Sequence, residues 1–266
     1  MTAAHAATFR QLHHAPDVLL LPNAWDAGTA RLVESLGARA IATTSAGVAW
    51  SHGYPDGDVL PLVLLVRTVA EIARVIRIPL TVDMEGGYAP DLVELDDGIR
   101  AVVDAGAVGI NLEDGEGPPD LLCTKILRVK QAALLAGVDV YVNVRTDVYL
   151  SALGPPETRL QETLARARRY RDAGADGLFV PGLHLPEEIR EVAQQIALPL
   201  NLLAWPGLPP TSALHALGVR RLSTGSGLTR AAYGRVAGLA RSFLDGHPLD
   251  IPDEISHAAL NRLVAR

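Results

Sequence analysis

The chain has 266 residues, 48% of them hydrophobic, and 24 Lys and Arg against 30 Asp and Glu give a formal net charge of −6. That length and apolar content suit one large α/β domain, and no low-complexity tract or Ser/Gly-rich linker divides it. The acidic balance supplies no basic footprint for nucleic acid or anionic lipid, and the lone Cys123 excludes an intrachain disulfide and a Cys-cluster zinc site, in keeping with a cytoplasmic protein.

The opening MTAAHAATFRQLHHAPDVLLLP has no basic segment ahead of a long apolar run, so no signal peptide is expected. LPLVLLV, Leu60 to Val66, is too short to span a bilayer and leads into Arg67, Glu71 and Arg74 as an amphipathic helix. Strands are predicted near 18–23 (VLLLPN), 40–45 (AIATTS), 80–85 (LTVDME), 109–113 (GINLE), 140–145 (VYVNVR), 177–181 (GLFVP), 199–204 (PLNLLA) and 220–224 (RRLST), with helical patterns between them. Four stretches share one grammar: ESLGARAIATTS, VDAGAVGINLEDG, RDAGADGLFVPG and HALGVRRLSTGS each place a helix-ending glycine (Gly37, Gly106, Gly174, Gly218) just before a strand. Eight such units predict an eight-stranded parallel β/α barrel rather than a doubly wound sheet. The barrel is assigned to 1–247, and 248–266 to a C-terminal helical extension.

Barrels of this kind place reacting groups at the C-terminal strand ends. Those ends offer Asn23 and Asp26, Thr44 and Ser45, Asp83 and Glu85, Glu113 and Asp114, Asn143, Arg145 and Asp147, Pro181, Asn201, and Thr224 and Ser226. In TVDMEGGY, Thr81 to Tyr88, a strand period of two puts Asp83 and Glu85 on one side, and Gly86 and Gly87 admit close approach of backbone or ligand. Asp83, Glu85 and Glu113 around one mouth repel unless a cation or shared protons offset them. An oxygen-only set favours Mg²⁺ or Mn²⁺ over zinc; the alternative is solvated strand ends or ion pairs to arginines.

Arg145 suits a carboxylate or enolate oxygen, or a structural pair with Asp147. In TTSAGVAW, the backbone N–H groups of Ser45, Ala46 and Gly47 could bind an oxyanion or form a plain turn. STGSG, Ser223 to Gly227, reads as an anion cradle or a helix cap. The only two lysines, Lys125 and Lys130, fall on one predicted helix, which argues against Schiff-base chemistry, and neither a dinucleotide fingerprint nor a GK[ST] loop is present. His13, His14 and His184 read as solvated, and His52 as a candidate acid or base.

From LPNAWDAGTARLVESLGA through TTSAGVAWSHGYPDGD, VDMEGGY, NLEDG and VNVRTD to LGVRRLSTGSG, the chain resembles the isocitrate lyase/phosphoenolpyruvate mutase superfamily. The resemblance implies a Mg²⁺-dependent barrel acting on 2-oxo acids, breaking or making a C–C or P–C bond through an enolate. It implies Asp83 as direct metal ligand, with Asp56, Glu85 and Glu113 acting through waters. Ser45, Ala46 and Gly47 match its substrate-binding segment, Arg145 its substrate arginine, and Asn201 joins the substrate-binding candidates. A homotetramer, a dimer of dimers, is implied too, with DEISHAALNRLVAR packing on a neighbouring subunit.

The departures narrow the activity. Lyases of the superfamily carry a Lys-Lys/Arg-Cys-Gly-His lid where this chain reads EDGEGPPDLLCTKILRVKQ, and Cys123 lacks that setting. The histidine that mutase-like members use after the sixth strand is replaced by VPGL. Isocitrate lyase and phosphoenolpyruvate mutase activities are therefore not expected. Hydrolysis, decarboxylation or retro-aldol cleavage of a small 2-oxo diacid is, beside class II aldolase-like enolisation of pyruvate or binding of 2-oxo acids without turnover.

Overall fold

Short apolar strands alternate with amphipathic helices in the computed structural model, which describes residues 2–89, 91–252 and 254–265. In chain order the first half comprises α1 (Thr2–Leu12), β1 (Leu19–Leu21), β2 (Asn23–Ala24), α2 (Ala27–Ser35), β3 (Ile41–Thr43), α3 (Ser45–Ser51), α4 (Leu62–Val75), β4 (Leu80–Asp83), α5 (Leu92–Asp104) and β5 (Gly109–Glu113). The second half adds α6 (Pro119–Leu135), β6 (Tyr141–Arg145), α7 (Pro156–Asp172), β7 (Gly177–Phe179), α8 (Pro186–Gln195), β8 (Leu200–Leu203), α9 (Thr211–Ala216), β9 (Val219–Ser223), α10 (Gly227–Leu244) and α11 (His257–Val264).

Every strand pairing is parallel, in the order β1-β9-β8-β7-β6-β5-β4-β3-β2. β1 pairs with β9 and β2 with β3, and only Pro22 separates β1 from β2, so the sheet returns on itself as a barrel. Among the described residues nine strands stand where eight were expected. Pro22 has no N–H to give to a ladder and divides the first one, although its carbonyl still accepts from Ala42 N–H at 3.3 Å.

The helix-to-strand turns follow the sequence grammar. Gly106 and Gly218 adopt φ of 122° and 97°, and a Cβ on either would lie 2.7 Å from the Cβ of Ala73 or Ala193 on a neighbouring helix. Those glycines therefore serve both the turn and the helix packing.

At the N-terminal end of the barrel, α1 inserts Phe9 beside the first residues of β5 and β6. His13, expected in solvent, is buried there. Its ring stacks on Tyr141 at 4.0 Å, Nδ1 pairs with the Phe9 carbonyl at 2.8 Å, and burial lowers its pKa to about 3. The C-terminal end of the barrel is left for the site. α11 lies on α2 of its own chain, where Arg31 Nε donates to the Leu263 carbonyl at 3.1 Å. Met1 of the expected barrel span, and Asp253 and Arg266 of the expected extension, fall outside the described residues.

Candidate active site

The C-terminal strand ends and the loops after them enclose a cavity of about 680 Å³, lined among others by Asn23, Ser45, Ala46, Asp56, Asp83, Asn111, Arg145 and Ser223. Asp83 closes β4. Its N–H donates to Thr43 Oγ1 at 2.8 Å, and its Oδ2 faces the Ser45 N–H at 3.4 Å. Its Oδ1 is enclosed and has no hydrogen-bond partner. Burial pushes the Asp83 carboxyl up, against the pull of Arg145 and the Ser45 N–H. An enclosed carboxylate oxygen with nothing to accept from is costly unless a cation or ligand meets it.

Glu85 departs from the sequence expectation. β4 stops at Asp83, and Glu85 turns into the left-handed region at φ 45°, so strand alternation does not carry it to the same side. Its Oε2 accepts the Asp58 N–H at 2.6 Å, its Oε1 accepts the Tyr88 hydroxyl, and burial raises its pKa to about 7. Asp58 reciprocates by accepting the N–H groups of Gly86 and Tyr88, each at 3.0 Å. Gly86 is required here, because a Cβ would strike Asp58 Oδ2. Lys125 on α6 adds a bond to the Gly86 carbonyl at 2.5 Å.

Glu113 and Arg145 are register partners at the ends of β5 and β6, with Oε2 and Nη1 2.7 Å apart. Glu113 borders a second, smaller cavity of about 240 Å³ with Asp58, Gly86 and Lys125, and burial raises it to about 8 despite Arg145. The pair with Asp147 is present: Arg145 forks onto it through Nε at 2.6 Å and Nη2 at 2.8 Å, and the same guanidinium lines the main cavity. Asp114 is structural. It accepts from Thr146, Arg166, Tyr170 and the Asp147 N–H, which fixes the loop that carries Asp147.

Ser45, Ala46 and Gly47 form the first turn of α3, capped by Thr44, rather than a plain turn. Gly47 has no room for a side chain, since a Cβ would lie 2.6 Å from Thr229 Oγ1. The cradle read into STGSG is largely filled from inside. Asn23 Oδ1 accepts the N–H groups of Thr224 and Gly225 at 2.9 Å, and the Gly227 N–H goes to the Thr224 carbonyl at 3.0 Å. Asn23 thus ties β2 to the loop that follows β9, a closure role that a strand-end position alone does not reveal.

Asn201 does not reach the cavity lining. It is fully buried in β8 beneath Ser223, whose hydroxyl donates to its Oδ1 at 3.3 Å. Asp26 caps α2, and His52 ends α3 with Nε2 2.9 Å from Thr68 Oγ1, away from the lining. Cys123 is half-buried on α6, where burial raises its thiol pKa. Phe179 and Trp205 give the cavity an aromatic wall that sequence reading missed; the AWPG after the β8 pattern was the available signal.

Of the four acids expected at a metal, Asp83 and Asp56 line the main cavity, while Glu85 has both oxygens engaged and Glu113 is held by Arg145. Among the described residues, no three His, Cys, Asp or Glu side chains converge to hold an ion by themselves. The unpartnered Asp83 Oδ1 and the carboxylate of Asp56 on the same cavity are oxygen donors of the kind that suits a hard cation such as Mg²⁺.

Residues 9–244 match the family model for phosphoenolpyruvate phosphomutase. An uncharacterized protein of Mycobacterium tuberculosis is 37% identical over 97% of this chain and 96% of its own length. The oxaloacetate decarboxylase of Pseudomonas fluorescens is 29% identical over 85% of this chain and 80% of its own. A phosphonomutase-like protein of Burkholderia cenocepacia superposes with a TM-score of 0.84 at 41% identity, covering 89% of this chain and 99% of that one. The structure of 2,3-dimethylmalate lyase, a member of the PEP mutase/isocitrate lyase superfamily, gives a TM-score of 0.83 at 26% identity over 98% of this chain and 94% of that one. A match over most of the barrel, on a fold whose strand ends gather Asp83, Glu113 and Arg145, establishes that this chain belongs to the phosphoenolpyruvate mutase family.

Proposed function

We propose that the protein is a Mg²⁺-dependent carbon–carbon lyase or hydrolase acting on a small 2-oxo diacid, and that decarboxylation or hydrolysis fits it better than group transfer. The observation that carries this reading is the enclosed, unpartnered Oδ1 of Asp83 in the same cavity as Arg145. The relatives that act on oxaloacetate and 2,3-dimethylmalate lend support, since both enzymes break a bond near a carboxylate.

A Mg²⁺ ion held at Asp83, with Asp56 reaching it through water, would supply Lewis-acid polarisation of the substrate's keto oxygen. Arg145 holds a substrate carboxylate or the oxygen that gains charge. Its orientation is set beforehand by Asp147 and Glu113, so little reorganisation is needed as charge develops. Ser45 and Ala46, at the start of α3, border the same charge. Phe179 and Trp205 give the cavity one aromatic side. Among the described lining residues there is no His, Lys, Cys or Tyr to act as a proton donor. That leaves water or a carboxyl group to protonate the enolate, and a site without a dedicated acid suits decarboxylation or hydrolysis better than controlled transfer.

The test combines Mg²⁺ calorimetry with a screen of 2-oxo and 2-hydroxy diacids for release of pyruvate, oxalate, glyoxylate or CO₂. Asp83→Ala is expected to abolish Mg²⁺ binding and turnover, while Glu85→Gln and Glu113→Gln only weaken them. Unchanged Mg²⁺ affinity in Asp83→Ala overturns the metal site. Binding of 2-oxo diacids without any turnover would identify a binding protein that has lost its chemistry.

A further inference from the structure

Arg221, on β9, is fully buried inside the barrel. Buried guanidinium groups are ordinarily met by a carboxylate. This one has a single described side-chain hydrogen bond, from Nη2 to Asn111 Oδ1 at 3.2 Å, and its Nε and Nη1 are enclosed without partners. Burial lowers its pKa to about 10, so it remains charged at neutral pH.

Arginine has donors and no acceptor, so the atom of Asn111 that faces it must be the amide oxygen. Asn143 Nδ2 donates to the same oxygen at 2.9 Å, and the two donors together use both of its lone pairs. The amide cannot turn over without setting its N–H₂ against two other donors. Among the described residues nothing accepts from Asn111 Nδ2, and Asn111 lines the main cavity. It is also the register partner of Asp83 on the adjacent strand.

We propose that Asn111 touches the substrate, donating from Nδ2 to a keto or carboxylate oxygen, and that Arg221 is the positioning residue that fixes this amide from beneath the cavity. The proposal rests on the reading of the mouth as a 2-oxo diacid site, and it gives that site a neutral donor beside the metal-binding carboxylate. The positive charge under the floor, which no carboxylate contacts although Asp83 acts on it from a distance, also favours an anion above it. A structural reading of Arg221, as volume filling the barrel, requires neither its charge nor a free amide facing the mouth.

The experiment titrates oxaloacetate and 2-oxoglutarate into the intact protein with Mg²⁺, alongside thermal melts of each variant. Asn111→Asp keeps the oxygen that Arg221 holds and turns the free donor into an acceptor; it is expected to melt no lower than wild type and to bind at least roughly tenfold more weakly, the scale of one lost charged hydrogen bond. Arg221→Lys, which keeps the charge and a donor, is expected to retain more affinity than Arg221→Met at equal melting temperature. If Asn111→Asp fails to fold, Asn111→Ser supplies the same comparison without a new charge. A folded Asn111 variant that binds like wild type, or Arg221→Met and Arg221→Lys that bind alike, overturns the proposal. Wild-type protein that binds neither diacid overturns the 2-oxo diacid reading itself, which is a distinct result.

Discussion

Arg145 Nη1 lies 2.7 Å from Glu113 Oε2 while Nε and Nη2 of the same guanidinium grip both oxygens of Asp147. One cation therefore serves two acids and still faces the cavity. Arg145→Ala should lower affinity for a 2-oxo diacid by tenfold or more, from the loss of about 1.5–3 kcal/mol in one charged hydrogen bond. It should also lower the melting temperature, because the buried Asp147 and the partly buried Glu113 lose their partner. Arg145→Lys should recover only part of the affinity, since an ammonium cannot reproduce the fork. The measurement is a titration of a 2-oxo diacid, a 2-oxo mono-acid and a diacid without the keto group, with and without Mg²⁺. Equal affinities throughout would sink the assignment.

The raised carboxyls give a stability profile with a defined sign. Glu113 moves from 4.5 to about 8 and Glu85 from 4.5 to about 7, so the folded chain binds more protons than the unfolded chain between those limits. Their contribution is fully present below 4.5 and is lost as pH rises through the folded values. Without metal, the melting temperature of wild type relative to Glu113→Gln should fall between about pH 5 and pH 8, and Mg²⁺ should offset that fall. Parallel profiles for wild type and Glu113→Gln in EDTA would show that Glu113 ionises normally.

How much of this was legible follows from which interactions are local. Gly106 and Gly218 mark helix ends within a few residues of a strand, so the barrel could be read from periodicity and turns. Arg145 and Asp147 are two positions apart, so their pairing is one of the two readings that the sequence offers. Glu85 was misplaced because its left-handed backbone comes with Asp58, a residue 27 positions away, and no strand pattern encodes that contact. Asn201 and Arg221 are neighbours across β8 and β9, and both turn into the barrel rather than the mouth. The VRRLS pattern alone does not say which arginine faces inward. His13 reads as polar until α1 is known to close the barrel over Tyr141.

The Asp58–Gly86 contact makes a steric prediction. Gly86→Ala should drive Asp58 from the backbone N–H groups of residues 86 and 88 and loosen its own hold on Glu85, at a cost of about 1–3 kcal/mol for the overpacking. Mg²⁺ affinity should weaken with it, because Asp56 sits in the same loop two residues before Asp58. Gly234→Ala on α10, where a Cβ meets nothing within 4 Å, is the control and should be neutral or slightly stabilising. Urea melts and Mg²⁺ calorimetry on both variants decide the matter. Equal stability for Gly86→Ala and wild type would mean that the loop adapts freely.

The last prediction concerns assembly. In the single chain α10 leaves Val236 62%, Phe243 60% and Leu244 82% exposed, and Leu249 and Ile255 follow in the exposed stretch before α11. So many large apolar side chains in one terminal region exceed the scattered exposure of an ordinary surface and point to a covered face. The homotetramer implied by the sequence resemblance would cover it, with the 248–266 extension at the contact. A chain ending at residue 252 should then fall to a smaller assembly or aggregate, because it loses α11 and bares α2 as well. Phe243→Asp with Leu244→Asp tests the same face without shortening the chain and should give a smaller, soluble species. Multi-angle light scattering supplies the mass in each case. An intact chain that runs as a monomer, or a shortened chain that keeps the intact assembly's mass, would leave this face without the partner proposed for it.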